Sequence, residues 1–561
     1  MTRVKSSGAG LLRTSRTFIL TLLSMGVAAG CAGPEAEAEP QDAEGRLLSQ
    51  QSAALVTSAG ADPAVKPGFS WVPAVTPPAT HWVNNVTGDD ARVTPTELQP
   101  WRTIKKAVGA VPAGSVIHVQ NSGMPYREHV QLSRAGSATA RFMLVGVPYG
   151  THTDLPEWRD VIGVKQSQVK FLSSYWIVKG FIFNKVDSTH NNCVSMSGSD
   201  NALIEVHCHG AHGVPAEHAI SIAGSNQLIR KSKSYNNLAT GCTSNCDIHG
   251  FRVGPGSKRI VLQQNEAWNN SGDGVQCMGS ESDATLGDAE DIWIEDHRLH
   301  DNKEQAVDLK SCNRVTIAGT DGVDGSKFYS QAPGGAMVIH FKARNILVEK
   351  TRFWNNSHGV NIGAYGTGHD IQNVVLRRNV FFDFTIDPAQ PGTQSAPKGY
   401  GILMSKVNNV DIYHNTFDNM PGGGIYVGFA AWTGSLVNAS SNVHVWNNIF
   451  NDVSLWAIKW RSAYGPGFSS KYNLYHRDAG AAVFDINHAS KSFAAWKAES
   501  GQDTVGSSEQ SPQFVTNPQA NDYYTLSTSP ARNAALNDTG QPQPCAGTQA
   551  PPDIGFKETC T

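Results

Sequence analysis

Between residues 193 and 452 a short strand led by glycine or alanine alternates with an apolar strand that ends in asparagine, and this repeat constrains the fold more than any other feature. HGFRV (249–253) precedes RIVLQQNEAWNN (259–270), DGVQC (273–277) precedes DIWIEDHRLHDN (291–302), and QAVDL (305–309) precedes RVTIAG (314–319). The alternation returns as NILVEKTRFWNN, HGVNI, NVVLRRNVFFD, YGILM, NVDIYHNTFDN, GGIYV and NVHVWNNIFND over residues 345–452. The opening residues Gly250, Gly274, Ala306, Gly359, Gly401 and Gly424 recur mostly every 23 to 42 residues, a period typical of solenoids.

Within each short strand one side chain in two points inward, so Phe251, Val253, Val275, Cys277, Val307 and Leu309 face a core while Arg252, Gln276, Asp308 and Lys310 face out. One such coil cannot bury its apolar side, but stacked coils make a continuous core and set equivalent residues in columns. Asn270, Asn302, Asn356, Asn419 and Asp452 are expected to stack at a turn, their side chains bonding backbone groups that the strands leave unpaired. The predicted fold is all-β, a right-handed single-stranded parallel β-helix. A sandwich or propeller would need two-residue turns such as Asn-Gly between paired strands, and the chain has few.

Net charge is −3 with 17 % charged residues, which excludes a global nucleic-acid-binding role. Arg3, Lys5, Arg13 and Arg16 precede the apolar run TFILTLLSMGVAAG, the layout of an export signal. Its end, Ala28-Ala29-Gly30-Cys31, resembles the lipobox of bacterial lipoproteins, which implies lipidation at Cys31 and a lipid anchor in the cell envelope; secretion is the alternative. Residues 1–31 are thus expected as signal, 32–75 as a flexible linker rich in Ala, Glu, Pro and Gln, and 76–561 as the β-helix domain, with coils clearest over 190–455. Eight further cysteines in an exported chain permit disulfides. The expected pairs are Cys242 with Cys246, Cys545 with Cys560 and Cys193 with Cys208, while Cys277 reads as a core residue. A zinc site in the stretch Cys208 to His249 lacks the paired C-x-x-C spacing of structural zinc.

Residues 81–150 resemble the N-terminal cap of secreted β-helix proteins, with a Gly-Asp loop, a P-W-x-T-I-x-x-A-V helix at Pro100 to Val108 and a G-x-x-I-x-V strand at Gly114 to Val119. The helix is expected to cover the open end of the solenoid. Segments 472–476, 511–515, 523–536 and 552–556 resemble the closing segment of the same group, which places it over 470–561.

Chemistry must come from outward residues, and the candidates gather between His249 and Lys310. In stacked register His218, His249, Asp273, Gln305 and His358 fall just before the strand-opening residue, and Arg252, Gln276 and Asp308 form the next outward column. A row of polar groups with both signs of charge suits a long anionic polymer. The run from Asn245 to Gln276, followed by the outward lysine of VDLK, resembles the family 9 pectate lyases, β-helix enzymes that cleave acidic polysaccharides by β-elimination. In that family an Asp-Gly-Phe coil and an Asp-Asp-Gly-Trp-Asp coil hold calcium, and a lysine one coil further on is the base. Asp273 matches the second aspartate of the pair and Lys310 falls near the base. His249, Gly272 and Gln276 stand at the other family positions, so an expected calcium site shifts to Asp247, Asp273 and Asp308.

The expected activity is therefore that of an exported polysaccharide lyase acting on a uronate-containing polymer, as a monomer with no nucleic-acid partner. Elimination needs one group to neutralise the uronate and another to take the proton beside it. Arg252 suits the first task, and Lys310 or His249 the second. Two other classes remain open: a glycoside hydrolase using Asp273 and Asp308, and a non-catalytic glycan-binding or structural envelope protein.

Overall fold

The computed structural model describes residues 66–557 except for 188–191, 213–216, 240–246, 280–286, 320–324, 332–334, 364–370, 386–398, 429–438, 516–522 and 537–551. Cys31, Cys242, Cys246, Cys545 and Cys560 lie outside the described residues. Each coil adds one strand to each of three sheets, and fourteen strands stack in each sheet. The first sheet runs from His81–Val83 to Ser469–Lys471, the second from Val130–Leu132 to Ala489–Ser492 and the third from Tyr126–Arg127 to Ser508–Glu509. Pairing is parallel throughout except at the last strand of the second sheet, which turns back on Val483–Ile486. The chain is the expected right-handed parallel β-helix.

Register produces the columns. In the interior Phe353, Phe381, Phe417, Phe450 and Tyr475 stack with centroids 4.7 to 5.1 Å apart. That spacing is the strand separation itself, about 4.8 Å, so each ring packs face to face at no cost in backbone geometry. Among the described residues two fully buried asparagine ladders line the turns. In one, Asn237 donates to Asn270 Oδ1 at 2.8 Å and Asn270 to Asn302 Oδ1 at 2.9 Å. In the other, Asn379, Asn415, Asn448 and Asn473 bond in sequence at 3.0 to 3.1 Å, all fully buried. Asn356 caps the Phe328 carbonyl as anticipated. Asn419 and Asp452 do not join either ladder: with Asn236, Asn269, Asp301, Asn355 and Asp383 they hold the left-handed conformation one residue earlier, which Asn and Asp tolerate best among residues with a side chain.

Three further expectations are corrected. Cys277 is a disulfide partner of Cys312, not an isolated core residue; Cys193 and Cys208 pair as expected. Residues 66–75 are not a free linker. Phe69, Trp71 and Val72 pack on an outward apolar column of the first sheet, which includes Met143, Ile177, Leu228, Val261 and Trp293 and would otherwise face water. The segments 511–515, 523–536 and 552–556 flank the third sheet, where Phe514, Tyr523 and Ile554 cover Phe382 and Ile449. Within the closing region expected over 470–561, the far end of the core is covered by the helix Phe493–Ser500, whose Phe493 and Trp496 pack on Phe484. At the near end the helix Ile104–Ala110 buries Ile104, Ala107 and Val108, with Thr103 as N-cap.

Candidate active site

The second sheet presents its outward residues in two neighbouring columns. One contains Ser221, Arg252, Gln276, Asp308, Val338 and Asn361. The other places Met278, Lys310, His340 and Gly363 on successive strands. His340 belongs to a coil concealed in the sequence: the interval from Ala306 to Gly359 is 53 residues, and Ala336 opens an intervening strand, Met337–His340. AMVIH repeats the pattern of AVDLK thirty residues earlier, and that likeness was the available signal.

Asp308 organises this surface. Its Oδ1 lies 2.7 Å from His340 Nε2 and its Oδ2 3.2 Å from Lys310 Nζ. The Asp308 side chain is 5 % exposed, against 26 % for Lys310 and 18 % for His340, so two cationic or basic heads reach the surface over a buried carboxylate. Burial works against its ionisation, but Lys310 and His340 overcome that and hold the Asp308 carboxyl well below the usual carboxylate range. Both oxygens are engaged by protein side chains, Oδ1 by His340 and Oδ2 by Lys310, so Asp308 is not offered as an ion ligand. Arg252 lies alongside. Its guanidinium reaches Met278, Nη2 to Sδ 3.3 Å, one strand short of Lys310, and its Nε is buried without a partner among the described residues. Burial lowers the Arg252 pKa, yet a guanidinium stays charged in a protein.

His249 and Asp273 lie deeper, in the column that also holds His218 and Gln305. The Asp273 amide donates to His249 Nδ1 at 3.0 Å, and Asp273 Oδ1 accepts the Gln305 amide at 2.9 Å. Burial keeps His249 neutral by pushing its pKa down to about 4. It is 3 % exposed, behind the surface a polymer would touch. Burial, and then Asp308, drives the Asp273 carboxyl well above its ordinary range. A ring nitrogen of His249 and carboxylate oxygens of Asp273 and Glu304 lie within 4.8 Å of one another. Asp247 is half-buried beside this group and acts on it through its charge.

Calcium takes six to eight oxygens. Here one donor is an imidazole nitrogen rather than an oxygen, His249 Nδ1 already accepts the Asp273 amide, and one Asp273 oxygen is committed to Gln305. Gly272 stands at the first aspartate of the family pair, and a side chain there would begin 2.6 Å from His249 Nδ1, so the ring fills the space that the missing carboxylate would need. The donor set does not fit a calcium ion of the family kind, and among the described residues Asp273 is grouped with His249 and Glu304 rather than with Asp247 and Asp308.

Burial drives both Asp273 and Glu304 toward the protonated form. Burial, with the charges of Asp273, Asp247 and Asp308, pushes Glu304 up to about 10. A folded pKa above the unfolded value means that stability is fully present below the unfolded pKa and declines as pH rises toward the folded one. Glu304→Gln removes that titration. The variant is expected to be more stable than the parent at pH 8 and level with it at pH 4, the gap growing by at most about 1.4 kcal/mol per pH unit. Urea unfolding at the two pH values checks this, and a variant weakened at pH 8 would mean that a cation occupies the carboxylates in solution.

Comparison with known proteins agrees with this architecture. A family model described as "Pel9A-like, right handed beta helix region" matches residues 85–306, and one described as "Right handed beta helix region" matches residues 244–450. Both matches are to right-handed β-helix regions, and each spans less than half of the chain. Solved structures similar to this chain include pectate lyase Pel9A, at 13 % identity over 86 % of this chain and 97 % of that one, with a TM-score of 0.39. A PL6 alginate lyase complex with a trisaccharide is 11 % identical over 77 % of this chain and 96 % of that one, TM-score 0.47. The A-module of mannuronan C-5 epimerase AlgE4 from Azotobacter vinelandii is 15 % identical over 57 % and 88 %, TM-score 0.39. These likenesses are of fold. The comparison with curated proteins returned no match.

Proposed function

We propose that this protein cleaves an acidic, uronate-containing polysaccharide by β-elimination. The observation that carries the reading is the row Arg252, Lys310 and His340 on the outer face of the second sheet, with Arg252 lacking a carboxylate partner among the described residues. An arginine held beside Lys310 suits the carboxylate of a uronate, whose charge must be neutralised before the neighbouring carbon gives up its proton. The two cations do this without a metal. A hydrolase would need two carboxylates flanking the scissile bond; Asp273 is fully buried and Asp308 is committed to Lys310 and His340, so this pair does not supply them. A lipid anchor at Cys31, and with it a place at the cell envelope, is proposed from the first 31 residues alone, which lie outside the described part.

The test is a panel of acidic polysaccharides followed by ultraviolet absorbance of the unsaturated uronide, in buffer and after treatment with a chelator. Activity on at least one polyuronide, undiminished by chelation, is expected. New reducing ends without absorbance would assign a hydrolase, and retained binding with neither product would assign a glycan-binding protein.

A further inference from the structure

We propose that His340 takes the proton from the carbon beside the uronate carboxylate and that Lys310 gives its proton to the departing glycosidic oxygen. The inference rests on the elimination reading and names its proton-transfer pair. His340 and Lys310 occupy adjacent strands of one outward column, and Asp308 touches both, at 2.7 and 3.2 Å. The contact is with His340 Nε2, so the tautomer that donates to Asp308 carries its lone pair on Nδ1. An aspartate that fixes the tautomer and stabilises the imidazolium is the support a histidine base requires. The same aspartate pairs with the Lys310 ammonium, which suits a donor. Among the described residues, charged groups near the imidazole include Asp308 and Lys310 on the preceding strand, with Arg252 beyond them, and the Phe341 ring lies 4.4 Å away.

The step balances within these groups. The imidazole takes the proton, the C–H electron pair becomes the second bond to the adjacent carbon, and the bond from that carbon to the glycosidic oxygen breaks. The oxygen leaves with the Lys310 proton. Proton exchange with water returns imidazolium and amine to their starting forms, so no oxidant or other co-reactant is consumed.

The test uses the full chain on a polyuronide that the wild type cleaves. His340→Ala is expected to lower kcat on the order of 10²- to 10⁴-fold with KM little changed, and added imidazole should restore part of the rate. His340→Gln keeps a hydrogen bond to Asp308 through its amide, so a folded but slow His340→Gln chain supports a chemical role. A uronide with a phenolic leaving group on the β carbon should rescue Lys310→Ala and leave His340→Ala slow. Wild-type turnover by His340→Gln, or rescue of both variants by the phenolic substrate, overturns the assignment while leaving elimination intact. Silence of the wild type on every polyuronide overturns both.

Discussion

Lys310→Ala is expected to abolish elimination, with kcat falling on the order of 10²- to 10⁴-fold. Among the described residues Lys310 is the ammonium group paired with Asp308 on this face, and its head reaches the surface between the Arg252 guanidinium and His340. Removing it takes away a charge that opposes the uronate and the proton that the leaving oxygen needs. Asp308 keeps its contact with His340 at 2.7 Å, so the carboxylate is not stranded and the fold should survive. Stability should fall by about 1–3 kcal/mol, the cost of an incompletely satisfied buried charge. Lys310→Arg separates the two roles. It restores positive charge for binding, but arginine releases its proton too reluctantly to serve as a donor, so KM should recover while kcat stays low. Steady-state kinetics on a cleaved polyuronide decide it, and a Lys310→Ala enzyme with wild-type kcat would remove Lys310 from the chemistry.

Asn415→Ala is expected to destabilise the fold by about 3–5 kcal/mol, among the largest effects available to a single change. The Asn415 amide donates to the carbonyls of Leu376 at 2.8 Å and Tyr413 at 3.1 Å, and its Oδ1 accepts the Asn379 backbone amide at 2.9 Å and side-chain amide at 3.0 Å. All of this is buried. Alanine leaves those groups without partners and opens the middle of a four-rung ladder, so the loss spreads to the coils on both sides. Asn419→Gly is the control. Asn419 is exposed and holds φ at 49°, a conformation glycine adopts freely. Urea denaturation should show a near-neutral control, and equal losses from the two variants would contradict the ladder's role.

The repeat, its strand alternation and the outward placing of Arg252, Asp308 and Lys310 were legible because a period of two and a recurring coil are local properties of the chain. So was the capping helix near Pro100, whose Thr103 cap and apolar face lie within a dozen residues. Two of the site's groups were not. His340 stands on a coil that the uneven loop lengths concealed, and Glu304 sits in a turn outside the repeat, where no periodicity marks it.

By itself the sequence determined the β-helix, because each coil's inward Phe, Val, Ile and Leu can be buried only against the next. The tertiary structure decided which polar groups meet. Contacts between His340 and Asp308, Asp273 and His249, or Cys277 and Cys312 join residues 24 to 35 positions apart. Their distances follow from the register of neighbouring strands, and loop length does not encode register. Stacking also decided which acids stay charged: Asp308 and Asp273 are the same residue type in neighbouring columns, yet Lys310 and His340 depress one and burial among acids raises the other.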